Sequence, residues 1–310
     1  MHLTETIYPY YKIIRPLNTV LAGIGVYIGL LITLGLQQIK NEILIISVGA
    51  IIMICVSAGG FIVNDIFDLE IDKINMPHRI LPSGQLSLKS AYFYATILFL
   101  VAFLLSILSF LFPTNLKLGL IPPLITIFGI VSLILYAGIF KRYSIIGNIL
   151  ISILSAVPFL IGGLLGYDFN RAIFPVLVTL FLVYSRELIK DVEDIRGDVE
   201  GSDGSFYSLP AIIGVRNSIF IACVTLVLLI ITTLFPFILS DDFQYYKSYS
   251  VLFFAILVDF IVVFVIYSIL ISLNDANKLH ISAKKGRRLL KICVALGLAT
   301  FLFNEFTLIN

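Results

Sequence analysis

Two stretches of this 310-residue chain concentrate carboxylates in one spacing. The first reads Asn64-Asp65-Ile66-Phe67-Asp68-Leu69-Glu70-Ile71-Asp72. The second reads Lys190-Asp191-Val192-Glu193-Asp194-Ile195-Arg196-Gly197-Asp198. Both contain D-x-x-D-x-x-x-D. Positions i, i+3 and i+7 share one face of a helix, so Asp65, Asp68 and Asp72 are expected to present their carboxylates together. Asp191, Asp194 and Asp198 do the same if helix persists through Gly197. Like charges this close repel and destabilise an isolated helix, so something cationic should compensate. Hard divalent cations take oxygen ligands, and Mg²⁺ usually binds through a few carboxylates plus substrate phosphates. Two such clusters facing each other across a helical bundle would clamp a Mg²⁺-diphosphate. A lone acidic run reads more simply as solvated loop. Two runs of identical spacing, each followed by Leu-Pro near a glycine (Leu81-Pro82-Ser83-Gly84, and Leu209-Pro210 with Gly214), read instead as an internal duplication.

Cations accompany the clusters. Arg15, Arg79, Lys141, Arg142, Arg186 and Lys190 stand at the ends of apolar runs. Arg and Lys bind diphosphate oxygens and stabilise a leaving group. Topology alone is the plainer account of any single one of them. Arg79 and Lys190, inside or just after the clusters, are the leading candidates. Asp259 stands alone in the middle of an apolar run, where a charge is expensive. It reads as a hydrogen-bonded interior carboxylic acid, or alternatively as a proton acceptor. Cys55, Cys223 and Cys293, and His2, His78 and His280, are scattered without ligand spacing, so no Cys/His metal site is expected.

The elements that position these groups follow from composition. Hydrophobic residues make up 59% of the chain and charged residues 13%, against about 25% charged in soluble domains. This excludes an ordinary cytosolic enzyme, a disulfide scaffold and a disordered chain, and predicts an integral membrane protein. The net charge of +2 gives no bulk electrostatic case for nucleic acid. A spanning helix needs about 20 mostly apolar residues. Nine runs qualify: Pro16–Leu36, Ile43–Val63, Ala91–Phe112, Leu118–Phe140, Ile145–Leu165, Ala172–Leu188, Ser218–Leu239, Val251–Leu273 and Leu289–Leu308. The runs are unbroken rather than alternating, so the fold class is all-α: one polytopic bundle over residues 1–310 around a central cavity. With the N-terminus in the cytoplasm, only Lys40, Lys117, Arg171 and Lys247 of the 21 basic residues fall on the far side, as the positive-inside rule requires. Both acidic clusters then lie at the cytoplasmic face. Met1 to Arg15 is polar and aromatic and does not read as a cleavable signal. The basic stretch Asn274 to Lys291 is expected to set topology and touch anionic headgroups.

At these residues the chain resembles the UbiA superfamily of intramembrane prenyltransferases. Its NDxxDxxxD motif stands here as Asn64, Asp65, Asp68 and Asp72, and its second aspartate-rich motif matches Asp191, Asp194 and Asp198. The stretches Asp68 to Arg79 and Arg186 to Asp198 look like the digeranylgeranylglyceryl phosphate synthases within it, although Ile80 follows Arg79 where proline is usual. The resemblance implies Mg²⁺-dependent transfer of a geranylgeranyl group from geranylgeranyl diphosphate to the glycerol hydroxyl of geranylgeranylglyceryl phosphate, at the cytoplasmic side of the cell membrane. It implies Mg²⁺ on Asn64, Asp68, Asp191 and Asp198, and diphosphate on Arg15, Arg79, Lys141 and Lys190. Asp65, Asp72, Asp194 and Arg186 take supporting roles. Partners are then the prenyl diphosphate, the phosphorylated glycerol lipid and membrane lipids, with no obligate protein partner. Aromatic or tetrapyrrole acceptors remain as alternatives, as does an ion-coupled transporter.

Overall fold

The computed structural model describes residues 2–111, 114, 119–166, 168–200, 208–238 and 245–309. Among these residues there are helices and no strands. The order is α1 (His2–Ile13), α2 (Pro16–Asn41), α3 (Ile43–Phe67), α4 (Leu69–Asn75), α5 (Leu88–Leu108), α6 (Ile121–Gly138), α7 (Ser144–Leu165), α8 (Phe169–Glu200), α9 (Leu209–Ile213), α10 (Val215–Ile238), α11 (Tyr249–Leu270) and α12 (Ala276–Ile309). Among the described residues, eight helices are long and apolar enough to cross a membrane: α2, α3, α5, α6, α7, α8, α10 and α11. They coincide with the first eight runs read from sequence and differ at the ends. The largest difference is α8, which runs on to Glu200 and carries the whole second motif on helical backbone. Leu289–Leu308 lies within α12, where some side chains near the C-terminus fall outside the described residues.

Apolar surface is distributed as a lipid solvent demands. In α5 the buried face is Ala91, Ala95, Ala102 and Ser106, while Phe93, Leu100 and Leu104 are exposed. Hydrocarbon tails solvate large apolar side chains, so helix association relies on small residues that admit close backbone approach.

The chain packs as two compact units. One comprises Met1–Tyr27, Ile39–Tyr143 and Arg196–Phe206; the other comprises Ile28–Gln38, Ser144–Ile195 and Tyr207–Asn310. In the first, Ile62, Val63 and Ile66 of α3 pack with Ile13, Ile80, Leu81 and Leu86. Residues adjacent in sequence to Arg15 and Arg79 are thereby anchored beside the first motif. Ile80, the departure from the usual proline, is 4% exposed and belongs to this core. In the second, Leu188, Ile189 and Val192 of α8 are buried against Leu226 and Leu229 of α10, Val262 and Val265 of α11, and Leu290 and Cys293 of α12. That apolar side of α8 leaves Asp191 and Asp194 on another side.

Candidate active site

The helix carrying the first motif is broken at its centre. α3 ends at Phe67 and α4 begins at Leu69, with Asp68 between them at φ −85° and ψ 0°. The continuous helical face expected over Asp65 to Asp72 is therefore corrected to two helices joined at Asp68. The aspartates nevertheless stay in helical register, because Asp68 N–H donates to the Asn64 carbonyl (2.9 Å) and Asp72 N–H to the Asp68 carbonyl (2.7 Å).

Every aspartate of this motif meets a cation, and the cations come from three separate places in the chain. Arg15, between α1 and α2, donates through Nη2 to Asp65 Oδ1. Lys141, in the 3₁₀ turn Phe140–Arg142, donates through Nζ to Asp68 Oδ2. Arg79, in the loop after α4, donates through Nη1 to Asp72 Oδ2 at 2.6 Å and stands 3.7 Å from Asp65 Oδ1. Asn64 Nδ2 also donates to Asp68 Oδ2 at 2.7 Å. That bond commits the N–H end of the carboxamide and keeps its carbonyl oxygen as a donor for a hard cation.

Three carboxylates are buried here, Asp65, Asp68 and Asp72. Burial pushes the Asp72 carboxyl up from its ordinary value, Arg79 pulls it down, and the neighbouring Asp68 and Asp65 push it up again. Burial works against the charge on Arg79, yet Asp72 and Asp65 beside it prevail and raise its pKa. Arg15 is the only non-glycine among the described residues with positive φ, at 53°. Such a backbone persists only where surrounding contacts over-determine it. Here those contacts are the Asp65 ion pair and the Phe61 ring, 5.0 Å from the guanidinium carbon.

The second motif is arranged differently. Asp191 is buried on α8 and accepts from Asn148 Nδ2 of α7 at 2.8 Å. Arg186 donates to Glu187 Oε1 through Nη2 (2.5 Å) and Nε (3.2 Å), and Lys190 Nζ approaches Glu187 Oε2 at 3.5 Å. The two cations expected to meet diphosphate or support it thus share the buried Glu187. Glu193, also buried, takes a two-point contact from Arg287 of α12. Asp194 is half-buried on α8. Asp198 lies on α8 backbone, with its side chain outside the described residues. Asn148 escaped the sequence reading, whereas Glu187 stood in the stretch Arg186 to Asp198 already singled out. A single Asn among the isoleucines and leucines of a spanning helix was the available signal, because polar groups at that depth are costly.

Asp259 is buried within α11 and contacts the Thr233 hydroxyl through both oxygens, at 2.9 and 3.0 Å. This supports the hydrogen-bonded interior reading.

The donor set suits Mg²⁺ that arrives with a substrate. Among the described residues no three His, Cys, Asp or Glu side chains form a ready metal cage. Mg²⁺ dehydrates reluctantly and is usually held by one or two carboxylates plus substrate phosphates, not by an all-protein cage. Within the first motif, Asp68 and the Asn64 carbonyl are oxygen donors of that kind, and within the second motif so is Asp191.

The profile of the UbiA prenyltransferase family matches residues 22–272. The chain belongs to the UbiA prenyltransferase family. It is an intramembrane prenyltransferase. A digeranylgeranylglyceryl phosphate synthase from Methanosphaera stadtmanae is 33% identical over 293 residues, covering 94% of this chain and 97% of that one. A solved structure of a digeranylgeranylglyceryl phosphate synthase superposes with TM-score 0.68 at 30% identity, covering 98% of this chain and 99% of the other. A UbiA homologue from Archaeoglobus fulgidus, solved with GPP and Mg²⁺, superposes with TM-score 0.63 at 14% identity over 94% of this chain and 99% of its own. At that identity the last likeness concerns the fold. As a UbiA prenyltransferase, the chain carries both aspartate motifs on helices with a buried aspartate in each, Asp68 and Asp191.

Proposed function

We propose that this UbiA prenyltransferase transfers a geranylgeranyl group from geranylgeranyl diphosphate to the free glycerol hydroxyl of geranylgeranylglyceryl phosphate, forming the second ether of an archaeal-type lipid. The carrying observation is the pairing of Asp65, Asp68 and Asp72 with Arg15, Lys141 and Arg79, an alternation of anions and cations that suits a metal-diphosphate. The names of relatives matched over nearly their full length support the acceptor.

Asn64, Asp68, Asp191 and Asp198 would hold Mg²⁺, which when bound neutralises charge on the departing diphosphate. Arg15, Arg79, Lys141 and Lys190 would bind diphosphate oxygens. Each of these cations contacts a carboxylate: Arg15 meets Asp65, Arg79 meets Asp72, Lys141 meets Asp68 and Lys190 approaches Glu187. Asp65 and Asp72 keep Arg15 and Arg79 aimed, and Asn148 and Glu187 orient Asp191 and the pair Arg186 and Lys190. The bond between the prenyl C1 and the diphosphate oxygen breaks with its electron pair leaving on the diphosphate. The glycerol oxygen attacks C1 and releases its proton. Apolar helices exclude water that would otherwise capture the allylic centre.

The topology that goes with this reading has nine spans, Leu289–Leu308 in α12 being the last. The N-terminus and both motifs then face the cytoplasm, and the asymmetry of the basic residues supports this. The test is a product assay on purified protein with Mg²⁺ and geranylgeranyl diphosphate, offering geranylgeranylglyceryl phosphate and 4-hydroxybenzoate in parallel. Ether formed on the glycerol phosphate alone, identified by mass, is expected. Ring prenylation alone would overturn the acceptor while leaving the motif roles intact.

A further inference from the structure

We propose that Arg287 and His280 are positioning residues for the second motif, acting through Glu193. The proposal rests on the reading of Asp191 as a metal ligand with Asp194 in support. Glu193 stands between these aspartates in sequence, yet on another side of α8. At about 100° per residue it lies about 200° round the helix from Asp191, beside the apolar side formed by Ile189 and Val192. Its carboxylate accepts from Arg287 Nε at 2.6 Å and Nη2 at 3.1 Å. Its main-chain carbonyl lies 3.2 Å from His280 Nδ1. A carbonyl can only accept, so that ring nitrogen carries the proton. Both partners belong to α12, two turns apart, and α12 therefore grips one residue of α8 at two atoms.

A buried ion pair is a poor device for stability alone, since well-packed apolar residues of similar volume usually do as well. A two-point guanidinium contact adds direction. It opposes rotation of α8 about its own axis. Side-chain oxygens ride about 5 Å from a helix axis, so a turn of about 20° would carry the motif carboxylates about 2 Å. Mg²⁺ demands near-ideal octahedral geometry at about 2.0–2.1 Å and does not follow such a shift. The sequence offered no hint of this, because Glu193 reads as a further acid of the motif and Arg287 as part of a basic run.

The test uses purified full-length protein carrying Glu193→Gln, Arg287→Met, or the exchange of Glu193→Arg with Arg287→Glu. Binding of Mn²⁺ in the presence of inorganic diphosphate is followed by electron paramagnetic resonance, with thermal unfolding alongside. The single variants are expected to weaken Mn²⁺ binding by about 10-fold or more, in the range for groups that orient metal ligands. They should also lower kcat while leaving KM for the lipid acceptor unchanged, and the exchange should recover most of both losses. Folded variants with wild-type Mn²⁺ binding and kcat would overturn the proposal. If the single variants fail to fold, Arg287→Lys carries the test, because it keeps the charge and loses the fork; unchanged Mn²⁺ affinity there overturns the proposal and weaker affinity upholds it. Asp191→Ala is measured in parallel. Undiminished Mn²⁺ binding in that variant overturns the reading of the motif itself, whereas lost binding there with normal binding in Arg287→Lys overturns only the positioning role.

Discussion

Asn148 donates a hydrogen bond from Nδ2 to Asp191 Oδ2 at 2.8 Å, joining α7 to the second motif on α8. Both residues are buried. The bond ties the orientation of the Asp191 carboxylate to α7. Asn148→Leu is expected to reduce activity or metal affinity by about 10–100-fold, the usual cost of losing a group that orients a metal-binding carboxylate. A Mg²⁺ titration of the purified variant checks this; an unchanged titration would remove Asn148 from the site.

Asp68→Ala and Asp191→Ala should each abolish transfer while the protein still inserts and folds. Losing an electrostatic group that acts on developing charge costs about 10²–10³-fold, and a metal ligand should cost at least that. EDTA should stop the wild-type reaction and added Mg²⁺ restore it. Near-normal turnover in either purified variant would sink the metal-clamp assignment.

Close helix contact makes a second kind of prediction. A Cβ at Gly162 would stand 2.0 Å from the Gly29 carbonyl oxygen, so two backbones would have to part. Gly162→Ala should destabilise by about 1–3 kcal/mol, the usual cost of overpacking. At Gly297, in α12, nothing lies within 4 Å of an added Cβ. Gly297→Ala should stabilise by about 0.5–1 kcal/mol through lower unfolded-chain entropy. Thermal unfolding in one detergent compares the two, and equal shifts would refute the contact argument.

Asp259→Asn should retain near wild-type turnover, because a carboxamide oxygen can still accept from the Thr233 hydroxyl. Asp259→Leu should unfold at lower temperature and lose the Thr233 contact. A kcat collapse in folded Asp259→Asn would instead make this residue part of the proton path.

Much of the site was legible before any coordinates. Composition excluded a soluble globule, because no such chain can bury this much apolar surface. The unbroken runs placed eight helices that the structure confirms, since in hydrocarbon a backbone must satisfy its own hydrogen bonds. The motif spacing picked out Asp65, Asp68, Asp72, Asp191 and Asp194, because same-helix neighbours follow from 3.6 residues per turn. Arg15, Arg79 and Lys141 were singled out by their places at the ends of spans, and all three reach the first motif.

What spacing cannot carry is which side chain meets which across helices. The assignment of Arg15 to Asp65, of Lys141 to Asp68 and of Arg79 to Asp72 depends on how Ile13, Ile80 and Leu81 seat in the core beneath α3. The break at Asp68 arose where sequence periodicity continues unbroken, because the Asp68-to-Asn64 and Asp72-to-Asp68 backbone hydrogen bonds keep the register across it. Asn148 with Asp191, and Arg287 with Glu193, join positions 43 and 94 residues apart. Periodicity reads neighbours along one helix; contacts between helices are set by the packing of whole faces, and only the tertiary structure decides them.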